Sequence, residues 1–236
     1  MKQPVGVIGA MKVEVDAILS AMEEKREEIH GNMTFTQGTL AGVPCVVSQC
    51  SPGKVNAALT VQAMVDFFSP RLVLNIGVAG GIGEQVHIGD VVIANACVEY
   101  DFDTSALDNC PVGEMSLPGV EGLLRKLPCD QALAKLLVEE SEKLYGHAHL
   151  GVVATGDKFV ADPKVGEWLR SEFEALACEM EGGAIAHACL VNQVPCGVLR
   201  TISDNANDSE TVDFVTFAQD SAQKAQKLLK AVMAKL

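Results

Sequence analysis

Three short stretches of this chain, residues 5–10 (VGVIGA), 72–79 (LVLNIGVA) and 151–155 (GVVAT), are apolar at almost every position. A strand that faces water on one side alternates apolar with polar residues, so a run that is apolar throughout must be covered on both faces. Helices on each side of a sheet supply that cover. The remaining sequence provides them. Strands are expected over 4–10, 33–40, 43–50, 71–79, 89–97, 149–155, 175–180 and 194–203, and helices over 12–27, 53–68, 130–145, 162–173, 182–192 and 211–235. In the last segment Phe214, Phe217, Ala218, Ala222, Ala225, Leu228, Leu229 and Val232 form a stripe at helical spacing, with Thr211 at its start and Lys230 and Lys235 towards its end. The runs 33–40 and 43–50, separated by Ala41-Gly42, read as an antiparallel hairpin. The expectation is a three-layer αβα sandwich around a mixed, mainly parallel sheet. No linker or internal repeat interrupts it, which predicts one domain over 1–236. Residues 101–128 are the exception, rich in Pro and Gly without periodicity, and a loop of that length usually serves a site or an interface.

Charge narrows the partners. Lys and Arg number 18 against 31 Asp and Glu, a net charge of −13. Nucleic-acid binding relies on clustered basic residues facing phosphates, and an anionic membrane surface attracts polybasic segments, so neither partner is expected. The N-terminal apolar stretch is soon broken by Lys12, Glu14 and Asp16, unlike a signal peptide. No apolar run reaches the roughly 18–20 residues of a membrane span. A cytoplasmic location is the expectation. Eight cysteines, none in a CxxC pair, lie largely in apolar runs and read as reduced, buried thiols.

In a parallel sheet the ligand sits beyond the carboxyl ends of the strands. There the sequence places Met11, Glu14 and Asp16; Val78, Ala79, Gly80 and Gly81; Gly156, Asp157, Lys158, Phe159 and Val160; Glu179, Met180 and Glu181; and Ser203 and Asp204. Carboxylates, a glycine turn and a phenylalanine thus gather at one end, with no Ser-His-Asp order and no histidine-rich metal set. Each piece also has a plain structural explanation. Glu14 in a first helical turn favours the helix dipole. The Gly80-Gly81 pair suits a tight turn, and Asp204 suits a turn cap. GVAGGIG superficially matches a dinucleotide fingerprint, but the acid expected after a following strand is poorly placed. His187 sits mid-helix in AIAHACL as a packing residue, and Asp101 and Asp103 alone are a thin basis for a metal site.

In order along the chain, GAMKVEV (9–15), SPGKVNAA (51–58), NIGVAGG (75–81), GDVVIA (89–94), TGDKFV (155–160), CEMEGGAIAH (178–187) and RTISDNA (200–206) resemble the 5′-methylthioadenosine/S-adenosylhomocysteine nucleosidases of the nucleoside phosphorylase superfamily. The resemblance runs from about residue 5 to about residue 217, and CEMEGGAIAH and RxISD are its most specific pieces. It implies a nucleoside phosphorylase-like fold and hydrolysis of the N-glycosidic bond of a 5′-modified adenine nucleoside, with no metal or organic cofactor. It assigns Glu14 as the general base that activates water, Asp204 as the acid at adenine N7, and Glu181 as the holder of the ribose hydroxyls. Met180 and Glu179 would flank the sugar. Phe159 would stack on adenine, the Val160 backbone would read its edge, and Met11, Val78, Ala79, Gly80, Ser203 and Phe214 would complete the wall. The family's usual homodimer would bring Thr104, Leu107 and Pro118, on the 101–120 loop, into the neighbouring subunit's pocket. Methionine salvage and nucleoside catabolism are the roles such an enzyme would serve.

The assignment is chemically sensible apart from any family. Glycosidic cleavage uses one protonated and one ionised group on opposite sides of the bond. The expectation is that a buried Asp204 has its pKa raised while a wetter Glu14 stays charged.

The chief alternative is a phosphate-dependent phosphorylase. Arg forks are the usual grip on a phosphate dianion, and the chain has five arginines: Arg26, Arg71, Arg125, Arg170 and Arg200. Arg71 opens its strand at the far end and Arg26 falls late in the first helix, so water is favoured as nucleophile. Lys12 and Lys54 remain as cations near the turn. Lys12, Val13 and Pro52 depart from the residues common in the family, and Val78 stands where a Ser is frequent. A catalytically inactive nucleoside-binding protein is a further alternative, opposed by retention of all three acids. The 5′ substituent stays open among methylthioadenosine, S-adenosylhomocysteine, 5′-deoxyadenosine and an aminodeoxyfutalosine-like nucleoside.

Overall fold

A computed structural model of the chain describes residues 3–205 and 214–236. In order, the elements are β1 (Val5–Gly9), α1 (Lys12–Ala21), β2 (Glu23–His30), β3 (Met33–Leu40), β4 (Val43–Gln49), α2 (Lys54–Phe68), β5 (Leu72–Gly81), β6 (Val91–Glu99), α3 (Ser105–Asp108), β7 (Met115–Ser116), β8 (Leu123–Leu124), β9 (Leu127–Pro128), α4 (Gln131–Tyr145), β10 (His149–Thr155), α5 (Pro163–Phe173), β11 (Ala175–Glu179), α6 (Gly182–Val191), β12 (Cys196–Asn205) and α7 (Phe214–Met233). The main sheet runs β11-β10-β6-β12-β5-β1-β4-β3-β2, with β9 paired to β6.

Strand β1 shows why the apolar runs demand two covers. Val5 and Val7 pack with α1, α4 and α7 residues such as Ile18, Leu137 and Leu228. Ile8 points the other way, into a core with Val61 and Met64 of α2 and Ile185 of α6. Gly6 lets α2 come close, since a Cβ there would lie 2.5 Å from Met64 Sδ. Parallel pairing joins β1 to β4 and β5, β5 to β12, and β10 to β6 and β11. Antiparallel pairs add the β2-β3-β4 edge and the β6–β12 junction. The sheet is mixed, as expected.

It is also more curled than a sandwich requires. The end of β5 pairs antiparallel with β11, Gly80 opposite Cys178 and Gly81 opposite Ala177. Strands β5, β12, β6, β10 and β11 therefore close on themselves. Gly81 also lets β12 pack closely at this corner, because a Cβ there would meet Ile202 Cγ2 at 2.9 Å. The consequence for the site is direct: the β11 exit is brought against the VAGG end of β5, where Gly80 and Gly81 continue the strand rather than forming the expected tight turn, because both are paired in the sheet.

The hairpin forms in the anticipated register, with Leu40 opposite Val43. Ala41 and Gly42 both adopt positive φ, 52° and 78°, the geometry of a type I′ turn. The first helix is shorter than expected. It ends at Ala21, Met22 tucks into the core, and residues 23–30 form edge strand β2 rather than continuing the helix. Glu, Lys and Arg are good helix formers, so EEKREEIH looks helical locally; pairing with β3 overrides that preference. The charges also protect an edge that would otherwise recruit other strands. Arg26 is accordingly on an edge strand, not late in a helix. Residues 101–128 hold small elements, α3 and the β7–β8 and β9 pairings, too short to leave a periodic signal.

Cys45, Cys50, Cys97, Cys129, Cys178, Cys189 and Cys196 are buried thiols. No helix among the described residues is long and apolar enough to cross a membrane. Thr211 lies outside the described residues; Phe214 opens α7, with its side chain outside them.

Candidate active site

The β1 exit places the first acid. Glu14, three residues into α1, turns back so that one carboxylate oxygen accepts the N–H groups of Ala10 (2.9 Å) and Met11 (2.8 Å). This is one half of a capping box, in which an acid at N3 satisfies donors that the helix start leaves unpaired. The other oxygen faces Gly77, where a Cβ would stand 3.3 Å from Glu14 Oε1 and 3.4 Å from Arg200 Cζ. Gly77 thus leaves open the space that Glu14 and Arg200 share. Glu14 is buried, and burial pushes its carboxyl above the ordinary range, against the Met11 hydrogen bond and the attraction of Arg200.

The β11 exit places the next two acids, with different surroundings. Glu179 is saturated by protein. Thr155 Oγ1 donates to one oxygen, while the other accepts the N–H groups of Glu181 (2.9 Å) and Gly182 (2.7 Å) and the Arg200 guanidinium. Arg200 is 1% exposed and also donates to Asn75 Oδ1 and to the Leu199 carbonyl (2.9 Å). A buried guanidinium demands such a full set of acceptors. Glu181 is also buried but, among the described residues, keeps only the Gly53 N–H (2.9 Å) on Oε1. Burial, reinforced by repulsion from Glu179, pushes Glu181 up to about 7.

Local sequence explains this packing. Gly182 and Gly183 begin α6 directly against the acids; a Cβ at 183 would lie 2.8 Å from Thr155 Cβ, and Gly183 N–H donates to Thr155 Oγ1 at 2.7 Å. Gly53 takes φ 103°, a conformation that favours glycine, which aims its N–H at Glu181.

At the β12 exit the register shifts between Ile202 and Asp204, bringing Asp204 opposite Gly80. Ser203 Oγ donates to Asp204 Oδ1 at 2.6 Å. Asp204 is half-buried, whereas Glu14 is buried, so the expected contrast in burial is inverted. The reason is tertiary: the α1 N-terminus folds Glu14 into the sheet's end, while the bulge carries Asp204 to the rim.

Among the other expected residues, Ala79, Val160 and Ser203 are buried, while Met11, Val78, Gly80 and Met180 are half-buried along the same strand ends. Phe159 is 65% exposed. Leu107 is 89% exposed and Pro118 is exposed, so neither is buried against this subunit; Thr104 is half-buried ahead of α3.

The cations that favoured phosphate are engaged by acids. Lys12 Nζ is paired with Asp16 (2.5 Å). Lys54 Nζ contacts Asp101 (2.6 Å) and Glu99 (3.1 Å), and Glu99 also meets His187 Nδ1 at 2.9 Å. Asp101 further accepts the Asp157 N–H (2.8 Å) and Asp103 accepts the Ser105 N–H (2.9 Å), so the DFD pair is used within loops. Sequence reasoning overlooked Arg200, Asn75 and Thr155. The signal was available, since a polar residue inside a strand buried on both faces must find partners.

Comparison with known proteins follows the same outline. The phosphorylase superfamily profile matches residues 4–234. A 5′-methylthioadenosine/S-adenosylhomocysteine nucleosidase of Geobacillus thermodenitrificans is 35% identical over 229 residues, covering 96% of this chain and 94% of its own. An aminodeoxyfutalosine nucleosidase of Helicobacter pylori is 36% identical over 237 residues, covering 100% of both chains. The Neisseria meningitidis 5′-methylthioadenosine/S-adenosylhomocysteine nucleosidase, solved in complex with methylthio-immucillin-A, aligns with a TM-score of 0.90 at 30% identity over 99% of this chain and 100% of that one. The chain belongs to the phosphorylase superfamily, in its 5′-methylthioadenosine/S-adenosylhomocysteine nucleosidase family.

Proposed function

We propose that this N-glycosyl hydrolase cleaves 5′-modified adenine nucleosides, 5′-methylthioadenosine, S-adenosylhomocysteine and 5′-deoxyadenosine among them, to adenine and the 5′-modified ribose. The observation that carries the reading is that Glu14 and Asp204 meet the Gly77–Gly80 segment of β5, with Glu181 close enough to Glu14 for their charges to repel, while Lys12 and Lys54 are held by carboxylates. Water as nucleophile needs a base and no phosphate grip.

In this mechanism Asp204, steadied by Ser203, protonates adenine N7 and weakens the bond to the sugar. The ribose develops cationic character, which neighbouring carboxylates stabilise electrostatically. Glu14 takes the proton from the attacking water. Its raised proton affinity suits that role, because a base works best with a pKa near the operating pH. Glu181 accepts the ribose hydroxyls, with Met180 against the sugar. Glu179 acts from beneath by fixing the Glu181 backbone and neutralising Arg200. Phe159 and Val160 receive adenine, and Met11, Val78, Ala79 and Gly80 line the pocket. No cofactor enters this scheme.

We read residues 1–236 as one nucleosidase domain, supported by the continuous sheet. A homodimer, in which Thr104, Leu107 and Pro118 complete the partner subunit's pocket, is supported by exposed Val55 and Leu59 one turn apart on α2 and by exposed Leu107. A cytoplasmic place in methionine salvage and nucleoside catabolism fits the acidic chain with its buried thiols.

The test is adenine release from 5′-methylthioadenosine with and without phosphate. Equal rates support hydrolysis; strict phosphate dependence sinks it in favour of a phosphorylase. No release from any 5′-modified adenosine would leave a binding protein. Including an aminodeoxyfutalosine-like nucleoside ranks the 5′ groups, since relatives named for both substrates are similarly close at 35% and 36% identity.

A further inference from the structure

The starts of β6 and β10 carry a second cluster of chemistry-bearing side chains. Asp90, the residue before β6, is buried, and its carboxylate lies 2.6 Å from His147 Nε2 and 3.0 Å from His149 Nε2. His149 opens β10, and the i, i+2 spacing of the two histidines suits rings on one side of an extended chain. The three ligand atoms lie within 4.8 Å of one another. His87 adds a fourth group: its Nδ1 is 3.6 Å from Asp90 Oδ2, and its backbone N–H donates to the same oxygen at 2.9 Å. None of these residues is among those assigned to the nucleoside site; β6 runs antiparallel to β12, so Asp90 lies beside Ile202, whose N–H donates to the Asp90 carbonyl at 2.9 Å, two residues before Asp204.

We propose that Asp90, His147 and His149 form a binding site for a divalent transition-metal ion, with His87 as the fourth donor. Imidazole nitrogens with a single carboxylate suit Zn²⁺, Co²⁺, Ni²⁺ or Cu²⁺, whereas Mg²⁺ and Ca²⁺ prefer a shell of oxygens. The geometry is close to what binding requires. Ligands about 2.0–2.1 Å from a tetrahedral metal stand roughly 3.3 Å apart. The present contacts of 2.6 and 3.0 Å would open by less than about 1 Å. The metal would take the place of the protons now shared between carboxylate and imidazoles, so its affinity falls as pH drops. The His87 N–H would orient the carboxylate as an outer-shell donor. Lys224, which donates to the Gly89 carbonyl at 2.9 Å, opposes a second cation nearby; the histidines must outweigh it. Bound metal would pin the start of β10 to the start of β6, adding to their parallel pairing.

The experiment is calorimetric titration of the full chain with Zn²⁺ at neutral pH, with Mg²⁺ as the control. The expected result is saturable binding of one Zn²⁺ per chain, a silent Mg²⁺ titration and a higher Tm with Zn²⁺. The double variant His147→Ala/His149→Ala should bind at least about 100-fold more weakly, beyond the roughly 10–100-fold that loss of an outer-shell partner costs. Circular dichroism checks that it folds; should it not, His149→Gln, close in size, takes its place with the same expectation. Absence of saturable Zn²⁺ binding to the wild-type chain overturns the proposal. So does unchanged affinity in the folded variants, which would point to the thiols. A Co²⁺-loaded sample is expected to lack thiolate charge-transfer bands, and their presence would equally overturn it.

Discussion

Two acid-rich segments of this molecule meet opposite environments. Strand β2, EEKREEIH, is exposed over Glu23 to Glu27 at the outer edge of the sheet. The β11–α6 corner, CEMEGG, is apolar around its acids, and Glu179 and Glu181 are buried. On β2 an ion pair such as Arg26–Glu28, at 3.5 Å, lies in water, where such pairs contribute little. At the corner donors from several segments serve the acids: two backbone N–H groups, a threonine hydroxyl and a guanidinium serve Glu179, and one glycine N–H serves Glu181. The difference teaches that a carboxylate's chemical behaviour here is set by what the fold aims at it. Glu179 has its needs met and is a structural anchor. Glu181 and Glu14 retain oxygens with fewer partners and a raised proton affinity, the state a reacting group needs.

The sharpest way to break this comparison is to neutralise the reacting acids while keeping their shape. Glu14→Gln and Asp204→Asn should each lower kcat for adenine release by about 10²–10⁴-fold, with folding retained. For Asp204→Asn, a purine ligand should still bind in calorimetry. Substantial residual turnover would show that another group handles the leaving base.

Next comes the anchor. Arg200→Met leaves Glu179 buried without its guanidinium, which should cost about 3–5 kcal/mol of stability in denaturant unfolding, as for other broken buried pairs. A change below about 1 kcal/mol would mean that Thr155 and the backbone donors suffice for Glu179.

The third test uses proton linkage. Glu181 has an ordinary value of 4.5 and is pushed to about 7 in the fold, so between these limits the folded state holds more protons than the unfolded one. Its contribution to stability is therefore fully present below pH 4.5 and is lost as pH rises towards about 7. Glu181→Gln should remove that downward slope, seen as the difference between wild-type and variant Tm across the same range. Parallel curves would place the titration elsewhere.

The smallest effect belongs to β2. Glu27→Gln should shift stability by less than about 0.5 kcal/mol, as exposed positions away from special contacts do. A larger loss would show that the charged edge matters to folding and not only to edge protection.

How much of this was legible beforehand follows from the range of each interaction. The hairpin was readable because Ala41-Gly42 lies between two runs of strand character, and a I′ turn is a local event. The two-faced burial of β1 and β5 was readable because each apolar run carries its own evidence. Strand β2 was not, since its helix-forming residues become a strand only through pairing with β3. Motif order placed Glu14, Glu181 and Asp204 at the strand ends, yet the relative burial of Glu14 and Asp204 came out inverted. That property depends on a capping turn and a β-bulge acting across the sheet. Arg200 carried a signal that went unused, a permanent charge in the middle of an apolar strand, although its partners lie far away in sequence at Asn75 and Glu179.

The sequence by itself determined the layered architecture, the end of the sheet where the acids collect, and the family, because apolar periodicity and motif order are written residue by residue. Only the tertiary structure decided which acid is an anchor and which is free to react, how the sheet curls to bring β11 against β5, and that Asp90 meets two histidines at the starts of β6 and β10. The physical reason is that a carboxylate's proton affinity depends on burial and on donors a few ångströms away, and those neighbours come from segments distant in the chain.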